Sequence, residues 1–97
     1  MKLHAVIRAY TTAVHGLIRD CETANALDTL DCIEERFAAV TAMFTGIMTE
    51  CTDAEIVQMR VTKNSMFDLF RKVHDEAFAR AIKAHEHLNL GATNDVA

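Results

Sequence analysis

Two runs of apolar residues with the same alternating three-and-four spacing constrain this chain more than any other feature. Leu3, Ile7, Tyr10, Val14, Leu17, Cys21 and Ala24 form the first, and Leu30, Ile33, Phe37, Val40, Phe44, Ile47 and Cys51 the second. Such spacing marks the buried seam of a helix packed against another helix, and Arg8, Thr12, His15, Arg19 and Glu22 fall opposite the first seam. If the chain reverses near Leu27, seam positions whose numbers add to 54 face one another, from Ala24 with Leu30 out to Leu3 with Cys51. Two unrelated helices would have no reason to stay in phase across a short connection, so the agreement predicts an antiparallel helical hairpin. Asn25 is expected to end the first helix in the left-handed conformation and Asp28 to cap the second, with Asp31 in its first turn.

Composition points the same way. The 97 residues include no proline and only three glycines, while half of them are hydrophobic, so turns are few and helices long. A chain of this length makes one domain with a core but leaves much of its surface open unless something covers it.

The third segment opens on Thr52-Asp53-Ala54-Glu55, a capping box in which hydroxyl and carboxylate each satisfy an orphan backbone donor. Val61 to Asn64 are weak helix formers, and Ser65 with Asp68 offers a second start, which predicts a break or kink between Val61 and Ser65. From Met66, Phe70, Val73, Ala77, Ala81, Ala84 and Leu88 form another seam, widened by Phe67, Phe78 and Ile82. The expected fold is therefore all-α: a hairpin plus a third, broken or kinked segment, a three- to four-helix bundle. Its helices span about 2–25, 28–51, 53–61 and 65–89 in one domain of residues 1–90, and residues 91–97 form a disordered tail.

The second helix is poor in charge. Between Arg36 and Glu50 its only polar side chains are threonines, and Ala38, Ala39, Ala42, Met43, Gly46 and Met48 lie on several faces. A helix apolar nearly all round is buried nearly all round. Either the third segment completes its cover, or a homodimer or another protein does.

Several functional classes find little support. The net charge of −4 lacks the basic excess of a protein that grips nucleic acid over a wide face. Cys21, Cys32 and Cys51 follow no zinc or redox spacing, and free, mostly buried thiols in a reducing cytoplasm are expected. No signal peptide is visible at Met1, and the longest uncharged stretch, Phe37 to Thr49, falls short of the roughly 20 apolar residues that cross a membrane. His4 and His15, like His74 and His85, share a face but stand about 16 Å apart along a helix, too far for one ion. His85 and His87 point to different faces. A metal site would have to form between helices or across an interface from His74, Glu76, His85 or Glu86, and no metal or cofactor is expected. No nucleophile with a base, paired carboxylates or phosphate-binding glycine loop forms a recognisable motif, so an enzyme is not expected.

Two stretches invite a binding role. From Asp20 through Glu35 the chain carries six acids, Asp20, Glu22, Asp28, Asp31, Glu34 and Glu35, and no lysine or arginine. The hairpin tip is thus expected to be an anionic knob suited to a basic protein surface. Residues 54–72 loosely resemble a helix-turn-helix, in which Lys63, Asn64, Arg71 and Lys72 would contact DNA, although Arg60 stands where such turns often hold glycine. The leading expectation is a small non-enzymatic interaction module, a regulator, inhibitor or adaptor with the profile of short acidic inhibitors made by phages and mobile elements. A dimeric DNA-binding regulator is the alternative.

Overall fold

In the computed structural model, which describes the backbone of residues 2–96 and side chains through Glu86, the chain is helical almost throughout. Helix α1 spans Leu3–Thr23 and α2 spans Leu27–Gly46, followed by a single 3₁₀ turn, Ile47–Glu50, and then α3, Asp53–Val96. The bundle is a rod 65 Å long and about 17 Å across, its length set by the 44 residues of α3 at about 1.5 Å each.

The hairpin forms as its seams require. Tyr10, Val14, Leu17, Cys21 and Ala24 from α1 and the following turn are buried against Leu30, Ile33, Phe37 and Phe44 of α2, with Leu3, Ile7, Val40, Ile47 and Cys51 partly buried around them. Tyr10 and Phe44, which add to 54, lie ring on ring at 4.1 Å. Helix α3 runs back along the groove of the hairpin and contributes Met59, Phe70, Ala77 and Ala81 to the core.

The connection differs from expectation. Ala24 and Ala26 are both extended, with φ −74° and −114°, and no non-glycine residue among those described has positive φ. Asn25 therefore does not take the left-handed conformation. Asp28 lies inside the first turn of α2, where its charge favours the helix N-terminus, and Ala26 holds the cap position without a side-chain bond. The end of α1 is satisfied otherwise: the Ala24 N–H donates to the Cys21 carbonyl at 3.3 Å, and the Arg80 guanidinium of α3 donates to the carbonyls of Cys21 and Glu22, each at 3.4 Å.

The capping box at the start of α3 is as expected. The Thr52 N–H donates to Glu55 Oε1 at 2.8 Å, and the Glu55 N–H donates to Thr52 Oγ1 at 3.3 Å. These bonds hold the Glu55 carboxyl below its usual pKa.

The expected break between Val61 and Ser65 does not occur, since α3 continues through it. Met59 and Phe70, on either side of the weak stretch, are both fully buried, and only unbroken helical register puts both on the hairpin. Each unfavourable residue costs a few tenths of a kcal/mol, against about 1.5–3 for burying a large side chain. Backbone helix also extends past the expected stop at Asn89–Gly91, within the bounds Asp53–Val96. The side chains of residues 87–97, Leu88 and the proposed tail among them, lie outside those described.

Candidate interaction surfaces

The hairpin tip gathers its acids but not in isolation. Asp20, Glu22, Asp28, Asp31 and Glu35 are exposed, while Glu34 is half-buried on the side facing α3. Arg71 reaches across to Glu34 at 2.7 Å and also holds Asp75 at 2.8 Å. The hydrogen bond that Arg71 donates to Glu34 is the main cause that raises the guanidinium above its ordinary pKa. With Arg80 seated on the α1 carboxyl end, α3 brings two cations to a tip that reads as purely anionic in sequence.

The segment 54–72 is part of one continuous helix. A helix-turn-helix needs two helices at a large angle, and here there is no turn to make one. Of its candidate DNA contacts, Asn64 and Lys72 are exposed and Lys63 is partly buried, while Arg71 is engaged by two carboxylates. The four do not form a common basic face.

Among the histidines with described side chains, His74 alone is buried. It is 3 % exposed, its Nε2–H donates to the Leu30 carbonyl at 3.1 Å, and its ring continues a ladder between Phe70 and Phe78. Its Nδ1 is buried without a partner. His4 receives an exposed hydrogen bond from Arg8, and His15 and His85 face solvent. Among the described residues no three His, Cys, Asp or Glu side chains cluster as a metal site would require; His87 lies outside them. Cys21 is fully buried and Cys32 exposed. Burial, aided by the neighbouring Asp20 carboxylate, pushes the Cys21 thiol pKa up, the direction of an inert thiol. Cys51 is half-buried with its Sγ 3.6 Å from Met59 Sδ.

Open apolar surface lies on the outer side of α3, where Val57, Val61, Phe67, Leu69 and Phe78 are exposed, Phe67 and Phe78 against the expectation that they widen its seam, and on the back of the hairpin, away from α3. The third helix does not complete the cover of α2: Ala38, Ala39, Ala42, Thr45 and Gly46 are exposed, and Met43 is 74 % exposed. Beside Met43 runs a shallow groove between α1 and α2. At one end it is lined by Val6, Ala9, Val40 and Ile47, and it continues past Ala13 to Gly16, Ala39, Asp20 and Arg36.

This surface is a second seam. On α1, Val6, Ala9, Ala13, Gly16 and Asp20 recur at three and four, one step round the helix from the core seam; on α2 and the 3₁₀ turn that follows it, Arg36, Ala39, Met43, Ile47 and Glu50 do much the same. The spacing was visible in the letters, but alanine and glycine carry so little hydrophobic signal that the larger core residues overshadow it.

Among the described residues, no helix is long and apolar enough to cross a membrane. In comparisons with known proteins, no protein-family model matches the chain and no curated protein or solved structure resembles it at a significant level.

Proposed function

We propose that this chain is a non-enzymatic helical interaction protein, a regulator or adaptor of the reducing cytoplasm, and that its working surface is the back groove between α1 and α2. The observation that carries the reading is Met43, standing 74 % exposed in a helix that has no charged residue between Arg36 and Glu50. A small domain keeps such a helix uncovered at a cost in solubility, and contiguous apolar surface on a soluble chain marks a contact site. Small residues along the groove let another helix approach closely, and Met43 is a flexible side chain able to adapt to it. The acids of the tip serve this reading as a hydrated end to the bundle, partly balanced by Arg71 and Arg80.

The test is a photo-crosslinking amino acid placed at position 39 in the full chain and activated in the native cell, with the same residue at position 68 on the outer face of α3 as control. A discrete adduct from position 39 and none from position 68 is the expected result. No adduct from position 39 would overturn the reading.

A further inference from the structure

We infer that the occupant of the back groove is a second copy of this chain, packed antiparallel across a two-fold axis that crosses the hairpin at the level of Thr11 and Met43. The inference rests on the reading of the groove as a binding surface and adds the identity and register of the partner.

The level follows from the fold. Tyr10 stacked on Phe44 shows that positions adding to 54 stand side by side, which puts Thr11 beside Met43. A two-fold axis at that level lays α1 over the second α1 with facing positions adding to 22, and α2 over the second α2 with facing positions adding to 86.

The charges close in this register on both helices at once. Lys2 faces Asp20 of the second copy, and Arg36 faces its Glu50; symmetry repeats each pair. All four side chains are exposed, and among the described residues none of them forms an ion pair within the chain. The extra rise of the 3₁₀ turn moves Glu50 by only about 2 Å, within the reach of an arginine side chain.

Size decides between the two symmetric ways of stacking a hairpin on itself. An axis along the helices would also bring opposite charges together, with Asp20 over Arg36. It would, however, set Val6 and Ile47 of one copy on Ile47 and Val6 of the other, and leave Gly16 and Ala39 facing each other across a gap. The crossing axis lays Val6 over Gly16 and Ile47 over Ala39, as close packing requires, and leaves Met43 on the axis against its own copy, where a flexible thioether adapts to the contact. The contact is isologous, the commonest kind among soluble homo-oligomers.

Sedimentation equilibrium of the full chain, with variants at exposed positions and helical circular dichroism to verify folding, tests the register. The native chain is expected to run as a dimer. Arg36→Glu and Glu50→Arg should each weaken dimerisation by about tenfold, because each places like charges together twice, and the double variant should return close to the native constant. A native chain that stays monomeric overturns the second-copy inference; an adduct of some other mass from position 39 would then leave the groove reading standing. A dimer in which Arg36→Glu is rescued by Asp20→Lys instead of Glu50→Arg, or by neither, overturns the register.

Discussion

Tyr10 lies flat on Phe44, their ring centroids 4.1 Å apart and their planes 11° from parallel, and the Tyr10 hydroxyl shares a 3.0 Å hydrogen bond with Thr41 Oγ1. The pair joins the two arms of the hairpin 34 residues apart in sequence, by apolar contact and by one polar bond. Removing the hydroxyl alone in Tyr10→Phe should cost about 0.5–1.5 kcal/mol. Removing the ring in Tyr10→Ala should cost about 3–5 kcal/mol, because the cavity is added to the lost transfer energy. Urea unfolding of the two variants separates these contributions.

Glu55 makes stability depend on pH at the start of α3. Its folded pKa is depressed by the Thr52 bonds, so its contribution is present above the pKa of the unfolded chain and is lost as pH falls through the lower folded value. Glu55→Gln should therefore lower the melting temperature at neutral pH, and the gap should shrink in acid, once both side chains are neutral. A gap that stays constant across that range would mean that the carboxylate charge contributes nothing at the cap. Thr52→Ala, which removes the other half of the box, should cost about 1 kcal/mol.

Ser65 tests the continuity of α3. Proline is tolerated in the first turn of a helix but costs about 3 kcal/mol or more in the interior, where it removes one backbone bond and collides with the carbonyl four residues back. In a helix that restarted at Ser65, Ser65→Pro would be nearly neutral. In α3 it should be strongly destabilising, as read by thermal melting, with helical signal lost on both sides of the substitution.

These residues show what was legible before the structure and what was not. The Tyr10 and Phe44 pairing and the Thr52 and Glu55 box depend on spacing, and spacing is written in the chain. The connection at Ala24–Ala26 is not legible locally, because the last carbonyls of α1 draw on Arg80, 58 residues beyond Glu22, as well as on the Ala24 N–H. Continuity at Val61–Ser65 is not legible in local propensity, because it is held by the burial of Met59 and Phe70 on either side. Of the candidate surface, the tip acids were evident, but their cations arrive from α3; the back groove is made of alanine and glycine, which no hydrophobic pattern emphasises.

His74 is a polar residue whose replacement should be mild. The Leu30 carbonyl to which it donates also accepts the helical bond expected four residues on, so it stays satisfied without the imidazole. Removing the side chain also removes the buried, unpartnered Nδ1. His74→Leu keeps apolar volume between Phe70 and Phe78 and should change stability by less than about 1.5 kcal/mol, since losing a polar group whose partner keeps another bond costs little. A loss above about 3 kcal/mol on urea unfolding would show that the imidazole supports the fold through more than this one bond.

Gly16 separates the fold from the proposed assembly, because the two make opposite demands on it. Within the chain, a Cβ added at Gly16 would meet nothing within 4 Å, and a glycine in a helix interior costs about 0.5–1 kcal/mol relative to alanine. Gly16→Ala should therefore raise the stability of the dilute, monomeric chain by about that amount. In the proposed dimer, the same position faces Val6 of the second copy, where added volume must be displaced. Gly16→Leu should leave the monomer folded, its side chain lying in the open groove, while lowering the dimer fraction in sedimentation. If Gly16→Leu instead strengthens association, Val6 does not rest on Gly16, and the crossing axis is wrong.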